Sequence, residues 1–400
     1  MTDSCDLAIV GGGLVGASLA VALADTPLRI VLIEAAQPPA SAPAWDERCI
    51  ALNDASRQIF AGIGVWEALV PQVAPITATH ISERGRFGVT RFHAAEAGLP
   101  ALGYNTPMRA LGGELMTRVA AQPNLQLRCP ERLEGLSLDA GGAELLLASG
   151  GTLRAGLLVA ADGAGSAVRR LLGYQAELRD YQQTALVTAV RVQRDPAGVA
   201  YERFTPEGPF ALLPKPGAVD AQGHPCSLIW TLPTERAESL RALPDAEFLA
   251  LAEDCFGERL GRFRALGRRL PHPLQRSLAE QLTAPGVVFC GNAAQSLHPV
   301  AAQGFNLGLR DVATLAASLR VALAAGAPLA DPARLAAYVQ AREQDRRRTA
   351  DFTDQLVRLF SNRLPLLRGL RHLGLLALDL TPPLKEAVLR QNLGHRGLAA

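Results

Sequence analysis

Asp6-Leu-Ala-Ile-Val10-Gly11-Gly-Gly13-Leu14-Val15-Gly16 decides the fold of this chain. Residues 6–10 read as a buried β-strand, and Leu14–Ala24 reads as an apolar helix. Between them Gly11, Gly13 and Gly16 spell G-x-G-x-x-G. Gly11 permits the tight turn, Gly13 lets backbone approach a pyrophosphate, and Gly16 lets the helix pack closely on the strand. The helix N-terminus then offers free N–H groups and a positive dipole end to phosphate. A second strand, Arg29–Ile33, ends at Glu34, about 20 residues beyond the glycines, where a carboxylate can accept from ribose hydroxyls. This βαβ unit predicts a Rossmann-like, dinucleotide-binding head. The motif alone does not decide between NAD and FAD.

Outward from that unit, short apolar runs at Leu125–Cys129, Glu144–Ala148, Leu157–Ala161 and Val287–Cys290 supply further strands. The texture changes between about 180 and 280. Alternating stretches such as Thr184–Val192 and Ser227–Leu232, punctuated by Gly and Pro, predict antiparallel strands. The fold class is therefore α/β (α+β overall). A discontinuous nucleotide-binding domain at 1–179 and 281–330 is interrupted by a sheet domain at 180–280. A helical, Arg-rich region follows at 331–400.

Composition sets bounds. The chain has 400 residues, enough for two packed domains. A net charge of +2 gives no reason to expect nucleic acid as a partner. The six cysteines form no CxxC pair, which argues against a metal site and suits a reducing cytosol. There is no basic n-region after Met1 and no apolar run long enough to span a bilayer. A cytoplasmic location is expected, with a peripheral place on the inner face of the cytoplasmic membrane as an option.

Two later segments choose the cofactor. One is Leu157-Leu-Val-Ala-Ala-Asp162-Gly163-Ala-Gly165-Ser166, followed by Arg169. The other is Val287-Val-Phe-Cys-Gly291-Asn292-Ala-Ala, continuing to His298-Pro299 and Gln303-Gly304-Phe305-Asn306. In this order and spacing the three segments resemble the single-component flavoprotein aromatic hydroxylases, the para-hydroxybenzoate hydroxylase-like family. The match runs from about residue 5 to 325. Residues 291–311 look closest to the ubiquinone-biosynthesis branch, and within it to the 2-polyprenyl-6-methoxyphenol hydroxylases.

The resemblance implies FAD as cofactor and NAD(P)H as co-substrate. It implies ring hydroxylation of a polyprenyl phenol by O2 through a flavin C4a-hydroperoxide. It places Leu14 and Val15, with the three glycines and Glu34, around the adenosine diphosphate half of FAD. Asp162 and Arg169 would sit beside the pyrophosphate and the path of the nicotinamide. Asn292 stands where the family usually has Asp, and accepts and donates without a charge. Arg48 matches an arginine near the FAD phosphates, and Arg109 a polar flavin-side position. Gly304, Phe305 and Asn306 would open a helix whose N-terminus faces the flavin pyrimidine edge. Pro299 matches a carbonyl facing the substrate, and His298 is a candidate general base. Ala302 stands where Gly is usual, which is costly if the position needs a positive φ.

Phe204, Phe210, Leu212 and Trp230 are candidates to line the substrate cavity, with core packing as the equal alternative. Leu364–Leu380 mixes Leu with Arg368, Arg371 and His372. It is read either as a face resting on an anionic membrane or as a helix docking on the FAD domain. Other quinone-biosynthesis proteins are candidate partners. Two alternatives stay open: a hydroxylase of another phenol or ring position, and a non-catalytic flavin-containing scaffold.

Overall fold

The head strand spans Asp3–Val10 (β1) and lies at the centre of an eight-stranded sheet. The computed structural model describes residues 3–37, 48–361, 374 and 377–395. β1 pairs in parallel with Ile30–Ile33 (β2) on one side and Thr152–Ala160 on the other. Leu125–Arg128 continues in parallel beyond β2, and Val287–Phe289 beyond Thr152–Ala160. Both faces of β1 are buried: Leu7 and Ile9 point into one core, Ala8 and Val10 into the other. That is why its sequence reads as a continuous apolar run instead of alternating.

The turn after β1 is held by sterics. Gly11 has φ +105°, and a Cβ there would lie 2.4 Å from the Ala161 carbonyl oxygen. The helix Leu14–Ala22 (α1) begins on Gly13. A Cβ on Gly16 would meet the Gly11 carbonyl oxygen at 1.9 Å, so only glycine lets α1 lie this close to the turn. Helices Met108–Ala121 and Gln303–Ala324 join α1 on the same face of the sheet.

A second sheet has nine strands. Its long central strand, Ala176–Val192, is flanked by Leu270–Ala279 and His224–Pro233 in antiparallel pairing. Pro209–Pro214 and Val199–Phe204 continue the order, and then comes a difference from the expected boundaries. The next strands, Ala78–Glu83 and Val89–His93, come from the stretch assigned to the first domain. Ala78–Glu83 pairs in parallel with Val199–Phe204, a long-range partnership that no local pattern announces. Gln295–Ser296 also joins this sheet. The 1–179 and 180–280 division is redrawn accordingly: the chain crosses between sheets more than once.

Helices Thr234–Ala242 and Asp245–Phe256 cover one face of the second sheet. Phe210, Leu212 and Trp230 point into that core, with Phe210 and Trp230 edge-to-face at 5.1 Å. Of the four residues offered for the cavity, only Phe204 faces it. Strand alternation is the reason. Once Phe210 and Leu212 face the helices, Pro209, Ala211 and Leu213 must face the other way.

The helix Pro332–Ser361 packs on Gln303–Ala324. The last helix, Pro382–Leu393, sets Leu389 and Leu393 against Phe92. Residues 364–373, 375 and 376 of the proposed amphipathic stretch lie outside the described residues. Among the described residues no helix is long and apolar enough to cross a membrane.

Candidate active site

The uncovered face of the second sheet, the α1 turn and the start of Gln303–Ala324 enclose one cavity of about 1170 Å³. Typical small-molecule pockets hold about 300–1,000 Å³, so this one has room for a large cofactor and a second molecule.

One end is built from turns. Gly13, Leu14 and Val15 line it, with Ala161 and Gly163 from the loop after Thr152–Ala160. A Cβ on Gly13 would touch nothing within 4 Å, so this backbone lies open to whatever fills the cavity. Asn292 and Pro299 are exposed to the cavity. The helix Gln303–Ala324 begins beside them, and Gly304 and Phe305 line the wall. The first turn of a helix carries N–H groups without intrahelical partners, so this end suits an electron-rich or anionic edge.

The loop before that helix is left-handed at two residues that are not glycine: Ala301 (φ +60°) and Ala302 (φ +50°). The condition that makes alanine costly at 302 is thus met. Asn306 holds the strained turn. Its amide donates to the Ala51 and Ala302 carbonyls, at 3.0 and 2.6 Å. Its oxygen accepts from the Asn53 N–H at 3.1 Å and the Ser56 hydroxyl at 2.6 Å. A primary amide has four hydrogen-bonding positions, and all four are taken within the protein. The expected cofactor contact therefore does not extend to the Asn306 side chain, which pins Cys49–Asn53 to the helix start.

Glu34, Asp162 and Arg169 do not line the cavity. Glu34 accepts from the Gly12 N–H at 2.6 Å and the Ala36 N–H at 2.7 Å, at the end of β2. Asp162 accepts from the Val168 N–H through one oxygen, while the other is buried without a partner. Arg169 donates to the Ala293 and Ala164 carbonyls, at 2.7 and 2.6 Å. It ties the Asp162 loop to the Gly291 loop. Arg48 lines the cavity, with Nε on the Met108 sulfur and Nη1 near His272. Burial holds the Arg48 guanidinium below its usual range. Arg109 is exposed at the start of Met108–Ala121 and does not line the cavity.

His298 does not reach the cavity either. Its ring is 1% exposed and stacks edge-to-face on Tyr181 at 5.0 Å. Its Nδ1 accepts from the Val300 N–H at 3.1 Å. Burial pushes the imidazole down to about 4. A ring so placed is a neutral prop for the loop, and the expected base role lacks access to substrate.

Two features escaped the sequence reading. The first is a buried ionic junction behind the Gly291 loop. Asp311 accepts from the Gly291 N–H (3.0 Å), Gln295 Nε2 (2.6 Å) and Arg342 Nε (2.7 Å). Arg342 also bridges to Asp345, which pairs with Arg310. Leu-Arg-Asp at 309–311 was visible as a motif, but its partner 31 residues on was not. The second is the floor. Thr79, Ala185, Ala200, Glu202, Ala211 and Ile229 face the cavity, mostly small or apolar side chains on neighbouring strands. The space continues between Phe352, Leu356, Leu378, Leu384, Val388 and Leu389 of the C-terminal segments.

The sequence profile of the family described as "FAD binding domain" matches residues 4–353. The chain is 38% identical over 390 residues to the ubiquinone hydroxylase UbiL of Rhodospirillum rubrum, covering 97% of this chain and 89% of that protein. It is 35% identical over 392 residues to the 3-demethoxyubiquinol 3-hydroxylase of Escherichia coli, covering 97% and 98%. In fold it is similar to the p-nitrophenol 4-monooxygenase PnpA of Pseudomonas putida DLL-E4, with a TM-score of 0.80 at 17% identity, covering 99% and 100%.

Proposed function

This chain belongs to the FAD binding domain family, and on that premise we propose that it hydroxylates the ring of a polyprenyl phenol in ubiquinone biosynthesis. It is a flavoprotein aromatic hydroxylase. NAD(P)H supplies the electrons and O2 the oxygen atom. The supporting observation is one cavity with two chemistries: turns and a helix start at one end, an apolar floor and branch at the other.

The residues present fit FAD. The open face of Gly13 and the cavity-exposed Asn292 amide are what a large polar cofactor would satisfy. Gly11, Gly13, Leu14, Val15, Gly16 and Glu34 shape the diphosphate and ribose end. Arg48 and Asn292 would hold the phosphates and ribityl chain, with Asp162 bracing the adjoining loop through the Val168 N–H, and the N–H groups of Gly304 and Phe305 would serve the pyrimidine edge. Bound FAD, once reduced, supplies the activated oxygen that a phenol ring cannot take from O2 directly.

The rest is the protein's own contribution. Pro299 stands at the cavity wall to orient the phenol hydroxyl. The apolar floor excludes water from the reacting ring. The branch between Leu356, Leu378 and Leu389 takes the prenyl tail. Leu380 and Leu384 stay exposed beside that branch, so peripheral contact with the membrane is part of the proposal. Liposome flotation of the L380S/L384S protein, against the unaltered chain, tests that contact; equal flotation removes it.

The whole reading is tested on purified FAD-loaded protein. NAD(P)H oxidation should rise on adding a short-chain prenyl phenol, and mass analysis should show one added oxygen. Bound FAD with no turnover on any phenol would favour the non-catalytic scaffold. Quinone intermediates accumulating in cells lacking the protein would name the ring position.

A further inference from the structure

We propose that Glu202 is the base that takes the proton from the substrate's phenol hydroxyl. This rests on the hydroxylase reading above and adds a catalytic residue to it.

Glu202 lies on the strand Val199–Phe204 with its side chain in the cavity wall. Its cross-strand neighbours are Ile81 on one side and Ala211 on the other, and Ala211 in turn faces Ile229. The carboxyl thus stands in a row of apolar side chains on the floor. Among the described residues it has no hydrogen bond and no ion pair. It is also the one acidic side chain among the described residues that line the cavity. The residue is half-buried, and its carboxyl meets the open space of the cavity in place of a protein partner. Its position makes sense if the partner is a ligand group.

The strand also ties Glu202 to the flavin end. Phe204, the next residue on the same face, packs against Val300, which follows Pro299. The floor carboxyl and the loop expected to orient the phenol therefore border the same volume.

Other charged groups do not replace it. On its own strand, Arg203 does not line the cavity, and Tyr201, which borders it, packs its ring on Phe256 at 5.4 Å. From Ala78–Glu83, His80 packs against Tyr201. Glu83 is buried opposite Phe204 and does not line the cavity. Pro209–Pro214 carries no titratable side chain. Arg48 and His272 also line the cavity, and the imidazole is held low by burial and by Arg48.

Burial raises the Glu202 carboxyl to about 7, from an ordinary 4.5. A phenol ionises near 10, so the raised carboxyl narrows the proton-transfer gap by about two orders of magnitude. In the step, the phenol O–H bond breaks and its proton goes to a Glu202 oxygen. The electron pair stays on the phenolate oxygen and raises the electron density of the ring, which makes the ring carbon a better nucleophile. Glu202 becomes neutral, and returns the proton to solvent when the product leaves.

The test uses the FAD-loaded full chain, a short-chain prenyl phenol and its methyl ether. In the unaltered protein, phenol binding should strengthen about tenfold from pH 6 to pH 8 as Glu202 ionises. The methyl ether has no proton to give and should show no such gain. Glu202→Gln should keep its FAD, lose the pH dependence of phenol binding, and turn over at least a hundredfold more slowly at pH 7.5. Glu202→Asp should recover part of that rate. A methyl ether that follows the same pH profile, or a Gln variant with unchanged rate and profile, overturns the assignment. If Glu202→Gln fails to fold, the comparison of the two ligands on the unaltered protein still decides. Failure of the hydroxylase reading looks different: the unaltered protein would bind neither ligand, nor oxidise NAD(P)H faster with phenol, at any pH.

Discussion

Replacing Asp311 with Asn should release the Gly291 loop and weaken FAD binding in a protein that is still folded. Asp311 is 2% exposed and accepts three hydrogen bonds, from Gly291, Gln295 and Arg342. Asn has one acceptor oxygen, so either the loop or Arg342 loses its partner. A hydrogen bond to a charged group contributes about 1.5–3 kcal/mol. Arg342 keeps Asp345 at 2.8 Å. The loss should then lie near the low end for a broken buried pair, about 3 kcal/mol. Unfolding entropy of about 2 cal/mol/K per residue over the whole chain converts that to a Tm drop of about 4 °C. FAD titration well below both melting temperatures should show Kd weakened about tenfold, or about 1.4 kcal/mol. Asp345→Asn is the control. It disturbs Arg310 and Arg342 but not Gly291, so it should lower Tm and leave the FAD Kd alone. An Asp311→Asn protein with lowered Tm and unchanged Kd would refute the claim that this junction holds the flavin loop.

Gly13→Ala should melt like the unaltered protein yet lose FAD affinity at least tenfold, because its methyl enters the cavity and touches no protein atom. Gly16→Ala should instead fold poorly, since its Cβ would lie 1.9 Å from a backbone oxygen; circular dichroism melts and flavin content separate the two. His298 is buried neutral with its imidazole lowered to about 4. Its stabilising contribution is complete above about 6.5 and fades as pH falls toward 4, because the unfolded chain gains a proton the folded one refuses; the full effect is up to about 3 kcal/mol. His298→Gln should flatten the fall in Tm across that window and leave the pH profile of turnover above 6.5 unmoved. Ala302→Gly should change Tm by no more than about a degree. Relief of left-handed strain, about 1 kcal/mol, is offset by the greater freedom of glycine in the unfolded chain. Ala302→Val, stiffer at the same φ, should melt lower.

Much of the cofactor end was legible in the residues themselves. The strand, the glycine turn and α1 lie within twenty-two residues, and their requirements are steric and short-range. Asn292, Pro299 and Gly304 were offered through the family resemblance, and they line the cavity. The misplaced residues share a cause. Asn306 was expected at a helix start facing the flavin and His298 as a candidate base, but the Asn306 side chain is taken by Ala51 and Asn53 from a distant segment, and His298 by the neighbouring Val300 N–H and the Tyr181 ring. Sequence shows which groups are polar, not which partners will occupy them.

The amino-acid sequence by itself determined the βαβ head, the alternation of a nucleotide domain with a sheet domain, and the flavoprotein family. The first two depend on periodicity and turn sterics, which act within a few residues; the family came from the resemblance of three segments to known proteins. Only the tertiary structure decided which face of each strand looks into the cavity, and so put Phe204 and Glu202 on the floor and Phe210 and Trp230 in the core. It also brought residues 78–93 beside residues 199–204 and set Arg342 behind the Gly291 loop. An alternating strand has two faces of interchangeable pattern, and only what packs against each one tells them apart.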